Sequence, residues 1–98
     1  MVRQMRPKTI YVGTTGVKEY RATIATYVRP EDVVLEVGCE WGTTTDLIED
    51  VTKDVVGTDI SPECIERARQ MRPHIRFEAI DAFDMPALLA LGKSFSKI

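Results

Sequence analysis

With 98 residues, 44% of them apolar and 29% charged, the chain has room for one compact unit and the composition of an ordinary globular one. Its net charge is -2 and its cations are scattered apart from Arg3, Arg6 and Lys8, which argues against a strong phosphate-binding face. No apolar run is long enough to cross a bilayer, the N-terminus lacks the apolar core of a secretion signal, and Cys39 and Cys64 show neither CxxC spacing nor a neighbouring His pair, so no metal site or disulfide frame is expected and a cytoplasmic location is.

In chain order, residues 8–16 read as a short extended piece ending in a turn bracketed by Gly13 and Gly16. Val17, Tyr20, Ile24, Tyr27 and Val28 then recur at helical spacing, predicting a helix that Arg29-Pro30 ends. Val33 to Val37 is a β-branched apolar run, the signature of a strand covered on both faces of a parallel sheet. A turn over Gly38 to Gly42 leads into a helix from Thr43 to Thr52, with Leu47, Ile48 and Val51 facing inward. A second strand spans about Asp54 to Asp59. Ser61-Pro62-Glu63 opens the next helix with a hydroxyl cap, a proline in the first turn and an acid at the positive helix end. Ile65, Ala68 and Met71 are expected to face the sheet, and Pro73 closes that helix. A third strand covers about Ile75 to Ile80, a short helix Ala87 to Leu91, and Phe95 to Ile98 begins a fourth strand. This alternation predicts an α/β fold with a partial parallel sheet, three strands and the start of a fourth, in a Rossmann-like three-layer α/β/α arrangement.

Glu36, Asp59 and Asp81 each fall at or just past a predicted strand end, one βα unit apart. In a parallel sheet those ends share the edge where ligands bind, so the three acids are expected to converge on one crevice. Taken singly, an Asp after a strand is as readily a turn former or helix cap. Between the first acid and the next helix runs Gly38-Cys39-Glu40-Trp41-Gly42, a turn with glycines where a sharp bend and a close helix start need them. A dinucleotide fingerprint begun at Gly38 would place its other glycines at Glu40 and Thr43, so an NAD site is disfavoured.

The segment VLEVGCEWG resembles the first motif of class I S-adenosylmethionine-dependent methyltransferases, acid-x-Gly-x-Gly-x-Gly. VVGTDISPECIERAR is similar to their second motif and IRFEAIDAFDMP to their third, and the resemblance runs over residues 17 to 98 without gaps. It implies a single truncated domain: an N-terminal extended segment, 1–16, and the cofactor-binding front half of the fold, 17–98. It also implies S-adenosyl-L-methionine as cofactor, S-adenosylhomocysteine as product, and methyl transfer to an acceptor that this half does not specify. By position, Gly38 and the backbone of Cys39, Glu40 and Gly42 would cradle the methionine part, with Glu36 near its ammonium group. Asp59 would accept from the ribose hydroxyls, Ile60 would pack on the adenine, and Asp81 and Ala82 would bond its edge. The sequence departs from the family at Glu40, where a glycine is usual; the side chain either crowds the cofactor, points outward, or turns toward the cofactor's ammonium group.

His74 is expected in a solvated loop, Cys64 on a helix, and Trp41 packed on a neighbouring helix. Tyr11, Tyr20 and Tyr27 are candidates to line the cofactor entrance, though the helical stripe favours core packing for Tyr20 and Tyr27, and Thr43, Thr44 and Thr45 either cap the helix or bond the cofactor. No residue is assigned as catalytic. The resemblance puts the first strand in the middle of a larger sheet, so a partial fourth strand would leave Val33 to Val37 as an apolar edge. That predicts self-association through the edge or dependence on a C-terminal half. Two functions follow: part of a methyltransferase, or a non-catalytic module binding a nucleotide-like ligand or partner.

Overall fold

A computed structural model describes residues 9–12 and 17–98; the expected turn at Gly13–Gly16 and the basic residues Arg3, Arg6 and Lys8 lie outside the described residues. The elements are α1 (Val17–Tyr27), β1 (Val34–Val37), α2 (Thr43–Glu49), β2 (Val55–Asp59), α3 (Pro62–Met71), β3 (Arg76–Ala79) and α4 (Met85–Leu89). β2 lies between β1 and β3 and both pairings are parallel, with Val37 opposite Thr58 and Asp59 opposite Ala79.

Both faces of this sheet are covered, as the unbroken apolar strands require. Successive residues divide between two cores: Val34 and Val55 join Ile24, Ile48, Ile65 and Phe77 on the side of α1–α3, while Leu35 and Val56 join Leu91 on the side of α4. Among the described residues Phe77 is the largest fully buried side chain, and it fits only because Gly57 faces it across the sheet. A Cβ at Gly57 would lie 2.7 Å from the ring. α3 begins as its sequence predicts, with the Ser61 hydroxyl accepting from the Cys64 amide at 3.2 Å. α4 begins earlier than expected, at Met85, because the Asp84 carboxylate caps it by accepting from the Ala87 amide at 3.1 Å.

Three expectations are corrected. Met71 is half exposed because α3 ends on it, so that its last turn overhangs the sheet. Tyr27, the last residue of α1, is likewise 48% exposed rather than core. The edge of β1 is not left bare over its first half. The Ser96 amide donates to Val33 O (2.8 Å) and the Leu35 amide to Lys97 O (3.0 Å), so residues 95–98 begin a fourth parallel strand, as their sequence predicts. Residues 9–12 pair in turn with that segment, through Ile10 to Ser96 O (3.0 Å) and Val12 to Ile98 O (2.7 Å).

A buried polar cluster fastens this arrangement. Asp32 accepts from the Arg29 amide and the Ser96 hydroxyl, each at 2.8 Å, and from both approaches of Lys97 Nζ at 3.1 Å. Burial alone would raise the Asp32 carboxyl, but the Arg29 amide, Ser96 and Lys97 outweigh it and hold it below the usual carboxylate range.

Candidate functional site

The strand register makes a staircase along the carboxyl edge of the sheet. β1 ends opposite Thr58, β2 runs one residue further, and the Ile80 amide donates to Asp59 O (3.0 Å), bringing the turn that carries Asp81 beside the end of β2. The three acids therefore occupy one edge, but each has different work there.

Glu36 is 5% exposed and points toward α1 and α2. Its Oε2 accepts from the Tyr20 and Thr44 hydroxyls and its Oε1 from the Thr45 hydroxyl. Burial, and then the neighbouring Glu36 charge, push the Tyr20 hydroxyl well above the ordinary tyrosine range, so it remains a donor. The sequence reading missed this network. Tyr20 lay in an apolar stripe and read as core, and the only signal was a run of hydroxyls, Thr43-Thr44-Thr45, directly after the glycine turn.

Asp59 accepts from the Glu40 amide through Oδ2 (2.9 Å) and from the Ser61 amide through Oδ1 (3.0 Å). It thus ties the glycine loop to the start of α3 while remaining partly open to solvent. Asp81 is exposed and accepts from the Phe83 amide (2.9 Å), an Asx-type turn of the kind such residues form after strands. Ile60 is 69% exposed and Ala82 is exposed as well.

The loop itself alternates. Gly38, Glu40 and Gly42 have φ of 76°, 50° and 87°, so three alternate residues are left-handed. Glu40 adopts there the conformation that a glycine takes at no steric cost, and its side chain is exposed. At Gly42 the glycine is obligatory, since a Cβ would lie 2.6 Å from Phe77 Cζ; at Gly38 a Cβ would meet nothing within 4 Å. The Gly38 and Cys39 amides both donate to Thr58 O, at 2.8 and 2.9 Å, and the Gly42 amide to Cys39 O at 2.9 Å. Those amides are committed to the chain's own turn. Cys39 is buried; burial, followed by the charges of Glu36 and Asp59, pushes its thiol up to about 12, so it is an inert thiol.

From outside, α3 grips the same loop. The Arg67 guanidinium lies over the Trp41 ring, 5.1 Å from its centroid, and Arg72 Nη1 donates to Trp41 O at 3.1 Å. Trp41 therefore meets the helix by one face and remains 51% exposed.

Asp46, Glu49 and His74 offer ligand atoms within 4.8 Å of one another, a grouping the sequence did not suggest. Both acids already face cations: Asp46 lies 3.4 Å from Arg72 Nε and Glu49 lies 3.1 Å from Lys53 Nζ. His74 is exposed and 3.9 Å from Asp46.

Set beside known proteins, residues 34–96 match the family model described as a methyltransferase domain. The chain belongs to the methyltransferase domain family. It is similar in structure to a TehB-like SAM-dependent methyltransferase from Corynebacterium glutamicum, with 31% identity, a TM-score of 0.55, and coverage of 64% of this chain and 34% of that one. DesVI of Streptomyces venezuelae is 29% identical with a TM-score of 0.55, over 66% of this chain and 30% of that one. The 23S rRNA methyltransferase ErmE is 25% identical with a TM-score of 0.58, over 68% of this chain and 29% of that one. This methyltransferase domain thus spans about a third of the length of the structures it matches. No curated protein matches it in sequence. The expected Rossmann-like fold class is that of these neighbours, and the chain, with its three-stranded parallel sheet, covers the N-terminal portion of the methyltransferase domain.

Proposed function

We propose that this chain is the cofactor-binding portion of an S-adenosylmethionine-dependent methyltransferase, with methyl transfer as the activity of the whole protein. The observation that carries this reading is the loop between β1 and α2. Its alternate residues 38, 40 and 42 are all left-handed, the Gly38 Cβ position is open, and Asp59 stands against it with a carboxylate still partly exposed. At Gly38 a backbone that bends in this way lets a ligand approach with no side chain between. A carboxylate with two oxygens suits a pair of ribose hydroxyls.

In this reading Asp59 accepts from the ribose, Ile60 offers its exposed side chain to one adenine face, and Asp81 with the Ala82 amide bonds the adenine edge. Gly38 and the Cys39–Gly42 backbone face the methionine part. The amides of Gly38, Cys39, Glu40 and Gly42 are already engaged within the chain, so their contribution is shape rather than donated hydrogen bonds. Glu36 supplies negative potential below the loop, complementary to the cofactor's ammonium and sulfonium charges. S-adenosylmethionine brings a methyl group already activated on sulfur, so the protein's share is proximity and orientation. We further propose a cytoplasmic setting, supported by two free cysteines and by the lack, among the described residues, of a helix long and apolar enough to cross a membrane.

Calorimetric titration of the chain with S-adenosylhomocysteine, with Asp59→Ala beside it, tests the cofactor site. Saturable heat lost in the variant is expected, and absence of binding by the folded wild type refutes the reading. The same loop and partly exposed Asp59 would also serve a second reading, a binding module without catalysis. Incorporation of a labelled methyl group by the whole protein separates the two.

A further inference from the structure

The glycine loop has two stems, and one side chain holds both. Glu36 precedes Gly38 on β1, while Thr44 and Thr45 follow Gly42 in the first turn of α2. Glu36 Oε2 accepts from the Thr44 hydroxyl and Oε1 from the Thr45 hydroxyl, so each carboxylate oxygen bridges from one stem to the other. The backbone of Glu36 is fixed in turn from β2, where the Thr58 hydroxyl donates to its carbonyl at 2.8 Å.

The start of α2 depends on this bridge. The helix has seven residues, and its N-cap is Gly42, which offers no side-chain acceptor to the first amides. A helix so short is marginal on its own propensity and must be held from outside. The Thr44 and Thr45 hydroxyls, bonded to Glu36, supply that hold and so fasten the far end of the loop.

The carboxylate is itself oriented from a third element. The Tyr20 hydroxyl on α1 donates to the same Oε2 as Thr44, and Glu36 is 5% exposed. Three of about four acceptor positions are thereby filled from within the chain. Burial, and then the Glu36 charge, keep the Tyr20 hydroxyl protonated, so the third donor is a constant one.

We infer that Tyr20 is a positioning residue of the cofactor loop: by orienting the Glu36 carboxylate, it sets the spacing of the two stems that carry the methionine end of S-adenosylmethionine. The part played toward the methionine end rests on the cofactor reading above, whereas the fastening of the loop does not.

Tyr20→Phe removes the hydroxyl and keeps the ring. Its effect is read by calorimetry with S-adenosylhomocysteine and with 5′-methylthioadenosine, which lacks the amino-acid end. About fivefold weaker binding of S-adenosylhomocysteine is expected, with 5′-methylthioadenosine unchanged. A double-mutant cycle with Glu36→Gln isolates the route, because Tyr20→Phe is expected to have no further effect in that background. Hydrogen exchange without ligand reads the loop itself. The Gly42 and Asp46 amides, bonded to Cys39 O and Gly42 O at 2.9 Å, are expected to exchange about fivefold faster in Tyr20→Phe. Unchanged exchange at both amides overturns the proposal, as do an unchanged S-adenosylhomocysteine affinity, an equal loss for both ligands, or additive effects in the cycle. If the folded wild type binds neither ligand while loop exchange quickens in the variant, the cofactor reading fails and Tyr20 stands as the residue that fastens the loop.

Discussion

Replacing Glu40 by glycine is expected to make the protein more stable, against the usual direction of point mutations. Glu40 holds φ at 50°, and its exposed side chain makes no hydrogen bond or ion pair among the described contacts. What holds it there is its own amide, anchored at 2.9 Å to Asp59, between two left-handed glycines. A left-handed residue with a Cβ costs roughly 1–2 kcal/mol. Glycine removes that cost and returns roughly 0.5–1 kcal/mol through its freer unfolded chain. The net gain is about 1 kcal/mol, or about 4–8 °C in Tm for a domain of this size. Urea unfolding of wild type and E40G, at matched m-values, measures it. The same variant is expected to bind S-adenosylhomocysteine at least as tightly, because nothing then projects from the middle of the loop. A variant that is equally or less stable than wild type would refute the idea that the loop stores strain at Glu40.

Three further outcomes follow from other parts of the fold. Gly42→Ala combines a left-handed φ with a contact of 2.6 Å on Phe77, so a loss of about 3 kcal/mol is expected in urea unfolding, against about 1–2 kcal/mol for Gly38→Ala, where the space is open. Asp32→Ala orphans the mostly buried Lys97, with an expected cost of about 3 kcal/mol, and hydrogen exchange at the Leu35 amide should accelerate as residues 95–98 release β1; continued slow exchange there would count against the clasp. Tyr20 and Cys39 have folded pKa values raised above their ordinary 10.0 and 9.0. Their contribution to stability is complete below about pH 9 and is lost as pH climbs toward and beyond 12, whereas that of Asp32, lowered from 3.8, is present above that value and lost as pH falls below it. Melting temperature against pH checks both limbs, and Tyr20→Phe should flatten the alkaline one.

Much of the fold was legible because its signals are local. The β-branched runs ending at Val37 and Asp59 mark strands buried on two faces, and Ser61-Pro62 carries its own start signal for α3. What escaped depends on partners distant in sequence. The clasp of residues 95–98 on β1 is made by Asp32, whose bonds to Ser96 and Lys97 span most of the chain. The position of Glu36 at a strand end was legible, but the hydroxyls from two helices that set its rotamer were not. Asp81 illustrates a local signal: its side chain does form the turn open to any Asp after a strand. Met71 and Tyr27 had the right spacing for the core but stand at helix ends, where the apolar stripe outruns the surface beneath it.

The Trp41–Arg67 stack gives the protein an optical reporter of its own. This is the chain's single tryptophan, so all indole emission originates one residue from Glu40, in a ring half in water and half under a guanidinium. Any event that stiffens or shifts the glycine loop changes the light emitted by unmodified protein, with no label added, and Arg67→Ala should move the baseline before any ligand arrives.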